Sequence, residues 1–226
     1  MTDYHQALQK SHSNLSDFWG KIGTTDSELI SYLVNPVFQG APRWPNARQS
    51  YRVVRTDNSV VIATDGLSDP GLSSTVNGFG LECYIETSDL VGKDSEAISS
   101  SWAFSLLEAF AQNIAKWEGV GPCLKKSDEV SCIELACNDG LPDSWLTERK
   151  TAPLIVNMAT LGRSRQLEMP LSEIWVVPVT LIRPSEFEKI CDQGQTALTK
   201  LIEALKFSGF DQLSTLDREF LDREAI

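Results

Sequence analysis

Histidine is nearly missing from this chain of 226 residues. His5 and His12 are the only two, and both sit in a polar N-terminal stretch. A catalytic triad with an imidazole base would have to use one of them, where a buried, oriented ring is not expected. Metal sites run short of ligands for the same reason. The five cysteines, Cys83, Cys123, Cys132, Cys137 and Cys191, are odd in number. Cys132 and Cys137 match no common zinc spacing, so reduced thiols in a cytosolic protein are expected, with no metal and no cofactor. Positive charge is scarce too: 20 Lys and Arg stand against 31 Asp and Glu, a net charge of −11. Such a chain repels phosphate backbones, which argues against nucleic acid. No apolar run reaches the length of a membrane span. Met1 to Leu15 has no apolar core of the kind a secretory signal needs. The protein is therefore expected in the cytoplasm, away from membranes.

What is present fits an ordinary globular protein, 42% hydrophobic and 23% charged. A chain of this length buries about 70% of its unfolded surface, enough for a core without disulfides or metal. Residues 1–34 read as two helices. The first carries Leu8, Leu15, Phe18 and Trp19. The second is capped by Asp26 or Ser27, carries Leu29, Ile30, Leu33 and Val34, and is stopped by Asn35-Pro36. Gly40, Pro42 and Pro45 make a loop with Trp44 as its hydrophobic plug. Strands around Tyr51–Arg55 and Val60–Thr64 flank an Asp57-Asn58 turn as a hairpin. A long loop, Gly66 to Asn77, leads to an alternating strand. Phe79, Leu81, Cys83 and Ile85 face the core, and Glu82, Tyr84 and Glu86 face the other way, as an exposed face. Trp102, Leu106, Phe110 and Trp117 mark the strongest helix, capped within Ser99–Ser101 and ended by Gly119 and Gly121-Pro122.

Ile133–Cys137, Leu154–Met158 and Ile174–Leu181 read as further strands, with Pro178 placing the last at an edge or bulge. Gly162 to Arg165 is a small basic loop. Ser185 and Glu188 form a capping box for a short helix. Leu198, Leu201, Ile202 and Leu205 mark another helix, stopped by Gly209, and residues 210–226 read as peripheral. The order predicts one α+β domain over residues 1–226, a mixed and mostly antiparallel sheet flanked by helices. Regular βαβ alternation is absent.

Catalytic patterns fail on context. Gly78-Phe79-Gly80 lacks a third glycine and opens a strand, not a helix. Gly66-Leu67-Ser68 is no nucleophile elbow. Cys83 lies on an apolar face, which makes an inert packed thiol. Glu82 and Glu86 sit roughly 13 Å apart at strand rise, too far for a glycosidase pair. Asp65, Ser68 and Asp69 are left as a candidate ligand or hydrolase pocket, against the simpler reading that they fix turns. The Glu82, Tyr84 and Glu86 face suits recognition of a basic partner, unless a loop or helix covers it.

Three stretches, taken together in order and spacing, resemble the Suppressor of fused family domain. They are Gly66-Leu67-Ser68-Asp69, Gly78-Phe79-Gly80-Leu81-Glu82, and the helix opened by Trp102 with Leu106, Leu107 and Ala111. Trp175-Val176-Val177-Pro178-Val179-Thr180, with Glu186 after it, is similar to that domain's closing strand and acidic residue. The likeness runs over about residues 44–187, with helices expected over 1–34 and 185–226. It implies an α+β domain that binds proteins and is not an enzyme. In the animal members a second domain follows, and the two clamp a peptide that adds as a strand. This chain is expected to end before such a domain, and Pro70-Gly71 stands where the animal pattern has an aromatic. For stand-alone bacterial members an immunity role against toxins has been put forward. The expectation is thus an adaptor or immunity protein holding a protein partner, such as a basic toxin domain or peptide, near Asp65, Ser68, Asp69, Glu82, Tyr84 and Glu86.

Overall fold

The computed structural model describes residues 3–117, 124, 129–137, 139–158, 162–218 and 221. Helix α1 (Tyr4–Gly20) starts at Asp3, whose carboxylate accepts from the His5 N–H, and it buries Ala7, Ser11, Leu15 and Trp19 at four-residue spacing. Strands β1 (Thr24–Thr25) and β2 (Ile30–Ser31) follow, then a 3-10 turn at Pro36–Gln39. Then come β3 (Ser50–Arg55), β4 (Val60–Asp65), β5 (Leu81–Thr87), α2 (Ser95–Ser99) and α3 (Trp102–Lys116). Beyond them lie β6 (Ser131–Leu135), β7 (Ala152–Val156), β8 (Gln166–Leu167) and β9 (Ile174–Leu181). Helices α4 (Pro184–Gln193) and α5 (Gln195–Phe207) and strand β10 (Leu213–Ser214) complete the order.

The strands form one mixed sheet in the order β1-β3-β4-β5-β9-β7-β6, with β2 also on β3, β8 on β9 and β10 on β5. The hairpin register sets Ser50 opposite Asp65 and Val53 opposite Ile62. Strand β5 runs antiparallel to β4 and parallel to both β9 and β10. The sheet is covered on both faces. Helix α3 packs over Tyr51, Val53, Ile62, Leu81, Cys83 and Ile85. On the opposite face, Leu15 and Trp19 of α1 pack with Val54, Val61, Ala63, Tyr84 and Val176. Helices α4 and α5 close a third cluster around Ile155, Met158 and Ile182. This is the expected α+β architecture, and Trp44 is the expected plug, fully buried edge-on to Tyr51 at 5.8 Å between ring centroids.

The local departures have physical causes. No second N-terminal helix forms, because Ile30 and Ser31 instead satisfy their backbone on β3, opposite Tyr51 and Ser50. Trp117 is exposed just past the end of α3, off the apolar stripe it was expected to extend. The expected stop signals Gly119 and Gly121-Pro122 lie outside the described residues. Pro178 is neither at an edge nor in a bulge. It sits in central β9 where two ladders meet: its carbonyl accepts from the Asn157 N–H at 3.0 Å, and past it β9 leaves β5 and pairs with β7. A missing N–H is tolerated at such a changeover. The capping box is shifted by two residues: Glu186, not Glu188, reaches back, accepting from the Arg183 N–H at 2.7 Å. Residues 210–218 are not peripheral. Strand β10 runs beside Glu86 and Thr87 of β5, and Ser214 Oγ accepts from the Leu181 N–H on β9.

Candidate functional site

Asp65 ends β4, and Ser68 and Asp69 follow in the loop to β5. All three are buried. The hairpin register explains their surroundings. Asp65 faces Ser50, so Arg48 and Arg52, two residues either side of Ser50, are its diagonal neighbours on one face. Arg48 Nη2 donates to Asp65 at 2.6 Å, and Arg52 donates to it through Nη2 at 2.6 Å and Nε at 3.0 Å. Arg48 Nε also donates to Asp69 at 2.8 Å, and His12 Nε2 of α1 lies 3.1 Å from the same carboxylate. Burial alone would push the Asp69 carboxyl up. The hydrogen bonds and charges of His12 and Arg48 outweigh it and hold the group below its ordinary range.

Glu82 lies one layer deeper. Its carboxylate accepts from Ser68 Oγ at 2.7 Å, the Ser68 N–H at 2.9 Å, the Gly66 N–H at 3.1 Å and Thr64 Oγ1. Ser68 Oγ on a carboxylate has the geometry of a nucleophile with its base, but both residues are 0% exposed and no substrate atom could reach them. Asn77 closes the same loop. Its side-chain N–H groups go to Ser11 and Ser68, and its carbonyl oxygen accepts from the N–H groups of Leu171 and Ser172. One polar network thus joins α1, the hairpin, the 66–80 loop and the segment before β9.

Tyr84 and Glu86 lie on the β5 face that faces α1. Tyr84 stacks edge-on to Trp19 at 5.4 Å. Glu86 accepts from Ser59 Oγ, from Gln212 Nε2 and from Arg163. The expected exposed face of Glu82, Tyr84 and Glu86 is therefore buried, because α1 and the basic loop at 163–165 cover it. That loop turns inward: Arg163 pairs with Glu86 at 2.7 Å and its guanidinium lies 5.7 Å from the Tyr84 ring. Burial would raise the Glu86 carboxyl, and Arg163 with its other donors holds it below the ordinary range. Cys83 is the inert thiol expected: burial pushes it well above the ordinary thiol value.

Sequence reasoning missed the partners of these carboxylates. Arg48 and Arg52 were within reach, since the hairpin turn sets the register that brings them to Asp65. Arg163, Gln212 and Arg218 were not, because their partners are distant in the chain. Arg218 is nearly fully buried and donates to both oxygens of Glu186 at 2.6 Å. Its guanidinium and that of Arg183 lie 5.7 Å and 4.0 Å from the Trp145 ring.

Burial, with the charge of Asp65 adding, pushes the Glu82 carboxyl up to about 7 against the pull of its donors. The folded chain thus binds one proton more than the unfolded chain between the ordinary value of 4.5 and about 7, so this group's contribution to stability falls as pH rises through that window. Glu82→Gln keeps the acceptor for Gly66 and Ser68, and its amide can donate to Thr64 Oγ1. The variant should gain on the order of 2 kcal/mol relative to the parent between pH 5 and pH 8. Urea melts at the two pH values measure it, and a difference that does not change with pH refutes it. Asp69 and Glu86 act with opposite sign at lower pH, but equally in both proteins.

Neither a protein-family model nor a curated protein sequence matches the chain. Solved structures do. The Sufu–Fu complex crystal structure aligns with a TM-score of 0.54 at 14% identity, covering 95% of this chain and 91% of that one. The crystal structure of Drosophila Suppressor of Fused aligns with a TM-score of 0.60 at 16% identity, covering 95% of this chain and 50% of that one. The chain therefore has a Suppressor-of-fused-like fold and spans half the length of the Drosophila protein. Among the described residues no helix is long and apolar enough to cross a membrane.

Proposed function

We propose that this chain works as a single, non-catalytic protein-binding domain, an adaptor or immunity protein whose partner docks on the loop end of the sheet. The observation that carries this reading is an apolar surface in solvent. Leu33, Val34, Phe38, Leu72 and Val76 are all exposed. They fall in loops gathered at one end: β2 meets the start of β3, Asn35 Nδ2 donates to the Ala47 carbonyl, and Gly71 lies against Pro45. Exposed apolar patches on soluble proteins mark interaction sites. Asp65, Ser68, Asp69, Glu82, Tyr84 and Glu86 serve that surface indirectly. The internal bonds of Asp65, Ser68, Asp69 and Glu82 fix the 66–80 loop that carries Leu72 and Val76, while Tyr84 and Glu86 hold the strand after it to Trp19 and Arg163.

The fold adds weight, since one protein that shares it was crystallised with the protein Fu. The net charge of −11 favours a basic partner, and a basic toxin domain is the partner an immunity role would require. The test is affinity capture from the protein's own cell lysate at low salt, with a Leu33→Asp/Phe38→Asp variant alongside. Calorimetry on the purified partner follows. The expected result is affinity at least about tenfold weaker for the variant, which corresponds to about 1.4 kcal/mol, and weaker binding at high salt. Equal affinity of both proteins would move the surface elsewhere. No retained protein would overturn the binding reading.

A further inference from the structure

Cys132 lies on β6 and packs with Phe187 and Ile190 of α4 in the third apolar cluster. Cys132 and Glu134 are two residues apart on a strand and share one face. Phe187 and Cys191 are four apart on α4 and also share one face. Glu134, Phe187 and Cys191 line a single cavity of about 380 Å3. The strand face that bears Cys132 is thus turned to the helix face that bears Cys191. Burial first, and the nearby Cys191 next, raise the Cys132 thiol to about 12. Both are free, Cys191 exposed and Cys132 half-buried. Cys83 and Cys137 belong to the separate cluster under α3.

We propose that Cys132 and Cys191 form a reversible disulfide that fastens β6 to α4 when the protein meets a peroxide. The exposed Cys191 thiolate attacks one peroxide oxygen. The O–O bond breaks, hydroxide leaves and is protonated to water, and Cys191 becomes a sulfenic acid. The Cys132 thiolate then attacks that sulfur, and the S–O bond breaks with loss of a second water. Two thiols and one hydrogen peroxide give one disulfide and two waters. Burial keeps Cys132 protonated near neutral pH, so the second step should quicken as pH rises.

The test treats the full chain with one equivalent of hydrogen peroxide, blocks residual thiols, and maps cross-linked peptides by mass spectrometry. The expected product is a monomer lighter by two hydrogen atoms, linked Cys132 to Cys191, and restored by dithiothreitol. Its melting temperature should rise by about 5 °C, because the bond closes a long loop. A Cys83→Ser/Cys123→Ser/Cys137→Ser variant should give the same link. The proposal is overturned if Cys191 carries only sulfenic or sulfinic acid, or if either thiol links to Cys123 or Cys137. It is also overturned if the cross-link joins two chains.

Discussion

Arg218→Ala should lower the unfolding free energy by about 3–5 kcal/mol, because it leaves the buried Glu186 carboxylate without its charge partner. Arg218 and Glu186 are both essentially inaccessible, and the guanidinium donates to both carboxylate oxygens at 2.6 Å. Geometry of that kind lets an ion pair offset the cost of taking two charges out of water. Two bonds from Arg183 soften the loss without cancelling it. Glu186 keeps the Arg183 N–H, and the Arg183 guanidinium donates to the Arg218 carbonyl, which the substitution preserves. A loss of this size is a large part of the stability of a domain. Urea denaturation measures it. Replacing both partners by apolar residues, Glu186→Leu with Arg218→Met, should cost less than either single removal of charge. A loss below about 1 kcal/mol for Arg218→Ala would mean that the C-terminal segment is not seated in the core.

Gly78→Ala should destabilise the protein by at least about 3 kcal/mol, and a matched change at Gly40 by only about 1 kcal/mol. Both glycines have positive φ, +40° at Gly78 and +89° at Gly40. They differ in what a side chain would meet. A Cβ at Gly78 would stand 2.3 Å from the Leu67 carbonyl oxygen and 2.9 Å from that of Asp69, whereas at Gly40 nothing lies within 4 Å. The Leu67 carbonyl cannot move freely, since it accepts from the Phe79 N–H at 2.8 Å. Relief of the clash would shift the loop that supplies the Ser68 and Gly66 N–H groups to Glu82. Comparing the urea midpoints of Gly78→Ala and Gly40→Ala separates close approach from backbone preference. Equal losses would refute the argument from contact.

Most of the sheet was legible because its strands carry strong local signals. The Asp57-Asn58 turn between two β-branched runs set the hairpin, and Ile174–Leu181 is apolar enough to be read whole. The helix at Trp102 was legible through its 3.6-residue stripe and Ser101 cap. The region after α1 was not. Leu29, Ile30, Leu33 and Val34 have helical spacing, but short strands on β3 won because they satisfy backbone groups along an otherwise open edge.

The site was half legible. The 66–80 loop and the strand after it are bonded into one unit through Glu82, yet the alternation of that strand was mistaken for one wet face. Alternating polar residues mark a face exposed to water only when nothing covers it. Here α1 and Arg163 cover it, and each carboxylate is matched by a hydroxyl, a backbone N–H or an arginine.

The sequence by itself determined the α+β class, the hairpin, the central apolar strand, the long helix, the scarcity of imidazole and the excess of acid. Those properties are local or compositional, and each is set by a few neighbouring residues. Only the tertiary structure decided that Glu82, Tyr84 and Glu86 are interior, that Arg218 locks the C-terminal segment to Glu186, and that Cys132 joins the apolar cluster closed by α4 and α5. Each of these joins residues brought together by the sheet's crossovers, and burial of a charge is tolerated only where such a distant partner arrives.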